Sequence, residues 1–149
     1  NLKIVWFGDL NNVLYSLAEC LKFLPTTQLD VFTDQKIYET NKEFFKFNSN
    51  VNFHFELNDK ILNSANCIMT DVYNSMNDTS NKEKALIRFQ VNDKMISKTN
   101  KNAVFMHCLP AKIGSEVTED VLFGEKSIVI NQAKNRLTTQ LGIINWLDI

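Results

Sequence analysis

The feature that most constrains this chain is an alternation of two kinds of segment. Short, continuous apolar runs recur, and between them apolar residues return every three or four positions. Residues 3–7 form the first run, which ends on Gly8-Asp9. Val13, Leu14, Leu17, Ala18 and Leu21 then share one helical face, and Pro25 lies just past its end. Residues 29–33, 51–55, 66–70, 103–107 and 127–130 read as further strands. Helices are expected over residues 39–47, 58–64, 92–98 and 132–147, the last with Ala133, Leu137, Leu141 and Ile144 on one face. Strands that are apolar throughout are buried on both sides, as in parallel sheets covered by helices. The expected fold is α/β: a doubly wound, Rossmann-like parallel sheet with helices on both faces.

The chain of 149 residues suits one such domain, with no repeat or linker inside it. A net charge of −1 leaves no basic footprint for nucleic acid or an anionic membrane. No apolar run approaches the roughly 18–20 residues needed to cross a bilayer. The chain opens directly on a strand with no signal peptide, so a cytoplasmic location and a piece of a longer protein are expected. Cys20, Cys67 and Cys108 are an odd, widely spaced set, which fits reduced thiols. With no CxxC pair and only His54 and His107, no metal site is expected.

In a doubly wound sheet, ligands gather beyond the carboxyl ends of the strands. Four polar groups fall near such ends. Gly8-Asp9-Leu10-Asn11-Asn12 follows the first strand and opens a helix, whose free N–H groups suit a carboxylate. Asp9 or Asn11 could equally serve only as the helix cap. Asp71 ends another strand and could hold an ammonium, with Ser75 and Met76 on a polar loop over residues 71–84; it could also cap a solvated turn. Cys108, inside His107-Cys108-Leu109-Pro110, is either a polar group of a closed site or a buried, inert thiol. Arg136 could clamp a phosphate or a carboxylate, or form a surface ion pair. The chain has only two arginines, Arg88 and Arg136. A GxGxxG loop is absent, which disfavours a nicotinamide cofactor.

The segments TrpPheGlyAspLeuAsnAsnVal (6–13), AspValTyrAsnSerMet (71–76), HisCysLeuPro (107–110) and AsnArgLeu (135–137) occur in the order and spacing of one family. The chain resembles, over essentially its whole length, the second domain of the ornithine carbamoyltransferases. That resemblance implies transfer of a carbamoyl group from carbamoyl phosphate to the δ-amine of ornithine, giving citrulline and phosphate, a step of arginine biosynthesis. It implies no metal and no organic cofactor. Asn12 would bind the amino-acid end of ornithine. Asp71 would hold its α-ammonium, with Ser75 and Met76 closing over it. Cys108 would lie near the reacting amine, the Leu109 backbone would face the carbamoyl group, and Arg136 would reach carbamoyl phosphate. The family's Ser-x-Arg-Thr-Arg and His-Pro-x-Gln motifs belong to its first domain and do not occur here. The resemblance therefore implies a missing N-terminal carbamoyl phosphate domain, a chain inactive alone, and a homotrimeric whole.

Two positions depart from the pattern: Asn77 stands where Gly usually follows Ser-Met, and Lys134 where an acidic residue usually precedes Asn-Arg. Three other readings stay open at this point. One is a carbamoyltransferase for putrescine or an acylated ornithine. Another is an aspartate carbamoyltransferase, whose pattern has Pro in place of Cys108. The last is an amino-acid-binding module without turnover.

Overall fold

A computed structural model describes residues 1–46, 49–74 and 82–147. In chain order the elements are β1 (Lys3–Phe7), α1 (Asn12–Cys20), β2 (Gln28–Phe32), α2 (Gln35–Asn41), β3 (Val51–His54), α3 (Asp59–Ser64), β4 (Cys67–Thr70), α4 (Glu83–Leu86), α5 (Asp93–Ile96), β5 (Val104–His107), α6 (Glu119–Leu122) and α7 (Val129–Trp146). The five strands form one parallel sheet in the order β3-β2-β1-β4-β5. Strand order reverses beside β1, so β1 and β4 flank the switch point.

The two sheet faces carry separate cores. Val5, Phe7, Phe32, Ile68 and Phe105 point to one face, against Leu62, Leu86, Met95, Val121 and Val129. Ile4, Trp6, Leu29, Val31 and Cys67 point to the other, against Leu14, Ala18 and Leu21 of the first helical stretch. Alternate residues of β1, β2, β4 and β5 thus serve opposite layers, whereas edge strand β3 gives apolar residues to one layer only and alternates them with Asn52 and His54. The asparagine-rich composition finds a use at helix starts. Asn11, Asn58 and Asn92, with Asp34, accept backbone N–H groups as N-caps of α1, α3, α5 and α2.

Three sequence expectations change. Residues 127–130 are not a strand: Ser127 makes a single bridge to Phe105, and α7 begins at Val129. A short apolar run at the start of a helix is indistinguishable by pattern from a short strand. The helix expected over residues 39–47 starts earlier, at Gln35 behind the Asp34 cap, and tightens into a 3-10 turn at Lys42–Phe45. The face of α7 expected to be apolar is not buried by this domain. Leu137, Leu141, Ile144 and Trp146 are exposed, Trp146 to 82%.

Candidate active site

The site is built outward from the switch point. Gly8, directly after β1, has φ +123, and a Cβ there would meet the Tyr73 ring at 3.0 Å. Glycine alone allows that turn at this spacing. The Trp6 indole N–H donates to the Asp9 carbonyl at 3.0 Å and fixes the chain as it leaves the strand. Asn11 then does two things at once. Its Oδ1 accepts the N–H groups of Val13 and Leu14, capping α1, and its Nδ2 donates to Asp71 Oδ2 at 2.7 Å. Asn12 lies one residue further, exposed on the first turn of α1.

Asp71 directly follows β4 and is 7% exposed. On its other oxygen it accepts the Cys108 thiol at 3.0 Å. One carboxylate thus joins the N-cap of α1, four residues beyond β1, to the residue after β5, across the switch point. Of the two uses open to Asn11, capping is realised, and the amide's remaining donor faces Asp71. Nearby, Lys82 reaches the buried Asp9 carboxylate at 2.9 Å. Ser75, Met76 and Asn77 lie outside the described residues.

Cys108 is partly buried. Burial first, and then the hydrogen bond and charge of Asp71, push its thiol pKa up to about 12. At neutral pH it is a protonated thiol that donates, not a thiolate that attacks. Cys67 is also pushed up to about 12, by burial alone. Raised values mean less thiolate at any given pH than in a free cysteine. Iodoacetamide at pH 8 is therefore expected to label exposed Cys20 at least about a hundredfold faster than Cys108 or Cys67. Equal labelling of Cys20 and Cys108, followed by peptide mass spectrometry, would contradict this reading of the thiol.

The turn after Cys108 is unusual. Leu109 sits at φ 56, left-handed for a non-glycine residue, and the Leu109–Pro110 peptide is cis. The left-handed residue alone costs on the order of 1 kcal/mol, which its surroundings must offset. The turn forms one wall of an open groove of about 870 Å³, whose other wall is Ala133, Arg136, Leu137 and Gln140 of α7. Arg136 is exposed there and, among the described residues, forms no ion pair of the kind the surface-salt-bridge alternative requires. Arg88, by contrast, is spent on Asp34 at 3.1 Å and Glu56 at 4.0 Å.

Among the described residues, Asp71, His107 and Cys108 place metal-ligating atoms within 4.8 Å of one another. Pattern reading missed this group because its members come from different strands. Every one of those groups already has a hydrogen bond, so an ion would have to displace them. Sequence reading also gave no role to His107 and overlooked Glu116. Both are fully buried and hydrogen-bonded to each other at 3.2 Å. A single carboxylate between Ile113 and Val117 was the available signal.

The fold and the site together define a Rossmann-like domain whose polar groups converge on the switch point of the sheet. Residues 1–147 match the family model for the aspartate/ornithine carbamoyltransferase, Asp/Orn binding domain. The ornithine carbamoyltransferase of Rhodopseudomonas palustris is 35% identical over 147 residues, which cover 96% of this chain and 47% of that protein. The solved ornithine carbamoyltransferase of Thermus thermophilus aligns with TM-score 0.82 and 33% identity, covering 97% of this chain and 47% of that one. That of Pyrococcus furiosus aligns with TM-score 0.74 and 33% identity, over 97% and 49%. The chain belongs to the aspartate/ornithine carbamoyltransferase family. It spans about half the length of the curated relatives it matches.

Proposed function

We propose that this domain supplies the ornithine site of an enzyme that transfers a carbamoyl group from carbamoyl phosphate to the δ-amine of L-ornithine, yielding L-citrulline and phosphate. The observation that carries the reading is the row Asn11–Asp71–Cys108, a buried carboxylate held between an amide and a neutral thiol at the switch point. Such a row suits an amine substrate: the carboxylate attracts an ammonium, and the thiol offers a polar contact without competing as a nucleophile.

In this reading Asp71 holds the α-ammonium, with Asn12, Ser75 and Met76 on the amino-acid end of ornithine. Cys108 lies by the δ-amine. The 3.0 Å thiol–carboxylate contact is shorter than the span of ornithine's three methylenes, so the thiol leaves Asp71 when substrate enters. The δ-amine, with a pKa near that of lysine at about 10.4, must lose a proton before it attacks. A closed, partly dry site favours the neutral amine. The new bond joins the δ-nitrogen to the carbonyl carbon, the bond from that carbon to the phosphate oxygen breaks, and phosphate leaves with the second proton of the attacking nitrogen. Leu109 presents its backbone to the carbamoyl group, and Arg136 offsets charge gathering on the phosphate. No step passes through a thioester.

The rest of the carbamoyl phosphate cradle is assigned to the other half of the protein, which has no counterpart in these residues. The same half is the natural cover for the exposed apolar face of α7, which carries Arg136. No helix among the described residues is long and apolar enough to cross a membrane. The assembly is taken to be a homotrimer working in the cytoplasm on arginine biosynthesis, as the family resemblance implies.

The test compares two proteins given carbamoyl phosphate and ornithine. The full-length protein is expected to release citrulline and phosphate in equal amounts, and residues 1–149 alone to release neither. Robust turnover by the isolated domain would show that the carbamoyl phosphate site had been misplaced. Phosphate without citrulline from the full-length protein would remove ornithine as the acceptor.

A further inference from the structure

Behind the Cys108 turn lies a pair that the transfer step above does not use. His107, the last residue of β5, and Glu116 are both 0% exposed. His107 Nδ1 accepts the Leu109 N–H at 2.9 Å. The hydrogen-bond network therefore places the imidazole proton on Nε2, which faces Glu116 Oε1 at 3.2 Å. Glu116 is itself anchored. Its Oε1 also accepts the Lys112 N–H at 2.6 Å, and its backbone carbonyl accepts the Val91 N–H at 2.9 Å. The Gln90 amide donates to the carbonyls of Gly114 and Ser115, tying down the same turn. The His107 N–H in turn donates to Gln132 Oε1 at 3.0 Å, one helical turn before Arg136.

The imidazole is thus clamped between a fully buried carboxyl group, held through its Oε1, and the peptide joining Cys108 to Leu109. Holding the Leu109 N–H fixes the plane of that peptide, because the peptide unit is rigid. The plane in turn sets the direction in which the Cys108 side chain leaves the backbone, toward Asp71. It also retains Leu109 at its left-handed φ of 56. With the proton on Nδ1 instead, two N–H groups would face each other and the turn would lose its anchor.

We propose that His107, oriented by Glu116, is a positioning residue for carbamoyl transfer: it holds the Cys108–Leu109 peptide so that thiol and Leu109 backbone meet the reacting groups. The inference rests on the carbamoyl-transfer reading of the site. His107 touches no substrate and acts through Leu109.

Two substitutions in the full-length protein separate positioning from packing. Asn carries an amide oxygen near the place of Nδ1 and can still accept the Leu109 N–H, whereas Gln reaches the place of Nε2 and cannot. His107→Gln is expected to lower kcat about a hundredfold, with the KM for ornithine within about threefold. Its Cys108 is expected to react with iodoacetamide about tenfold faster than in the unaltered protein. His107→Asn is expected to keep kcat within about tenfold and to leave Cys108 labelling unchanged. Glu116→Gln, which still accepts from Nε2, is expected to follow His107→Asn. Thermal unfolding is recorded for each.

A folded His107→Gln protein with unaltered kcat and labelling would overturn the proposal. So would equal losses in His107→Asn and His107→Gln that track their unfolding temperatures. Should His107→Gln not fold, a folded His107→Asn protein with kcat down about a hundredfold would overturn it as well. If the unaltered protein makes no citrulline, the functional reading fails separately. The labelling contrast between the Asn and Gln variants still decides whether His107 positions Cys108.

Discussion

Asp71→Asn in the full-length protein is expected to lower kcat/KM for ornithine by about a hundred- to a thousandfold, with the fold intact. Asp71 is the one carboxylate in the Asn11–Asp71–Cys108 row, and it is nearly buried. Removing one partner of a buried, hydrogen-bonded charge pair costs about 2–5 kcal/mol, which spans that range. The variant keeps the size of the side chain but replaces one acceptor by an NH₂ group. That group meets either the Asn11 amide or the Cys108 thiol donor to donor, so the pocket loses both its charge and its order. The KM for carbamoyl phosphate should move little, because in the proposed site Asp71 faces the amine. Steady-state kinetics in both substrates, with thermal unfolding as the control, checks this. A loss below about fivefold would remove Asp71 from the ammonium site.

The second large effect is expected at Arg136. Arg136→Leu should lower kcat/KM for carbamoyl phosphate about a hundredfold or more, as expected when a preorganised cation on a leaving phosphate is lost. Arg136→Lys should recover only part of this, since an ammonium lacks the planar fork that grips two oxygens. Arg136 is exposed on α7 with no ion pair among the described residues. Its removal should therefore shift stability by no more than about 0.5 kcal/mol. Ornithine affinity measured by calorimetry should be unchanged. Weakened ornithine binding with carbamoyl phosphate kinetics intact would reverse the assignment.

The sheet was legible because its strands are short and rich in apolar residues, so β1 to β5 stand out even where Asp30 or Asn52 interrupts the run. The same property misleads at residues 127–130, where a short apolar run begins a helix and pairs with the sheet only through the Ser127 bridge. Gln35 as a helix start was hidden because α2 buries no residue fully and so shows no periodicity. The exposed face of α7 could not be foreseen. Periodicity reveals an apolar stripe but not whether the partner lies in the same chain segment.

At the site, the strand-end rule located Asp71 and Cys108, but a linear pattern could not show that they touch. The pair Asn11-Asn12 illustrates the limit. Both residues open α1, yet Asn11 is the one turned toward Asp71 while also capping the helix. Glu116 was invisible for a related reason. Its burial is set by Val91 and His107, which are distant in sequence. Residues that hold other residues leave little trace in a motif, whereas residues at strand ends do.

The amine gripped by this domain is proposed to be ornithine. The most direct test of this assignment is the initial rate of the full-length protein with carbamoyl phosphate and, in turn, ornithine, putrescine, an acylated ornithine and aspartate. A site built around a buried carboxylate for an α-ammonium should prefer ornithine to each of the others by about a hundredfold or more in kcat/KM. Putrescine, which lacks the α-ammonium and α-carboxylate, is the sharpest control. A rate with putrescine or aspartate equal to or above that with ornithine, or no transfer to any amine, would contradict the account.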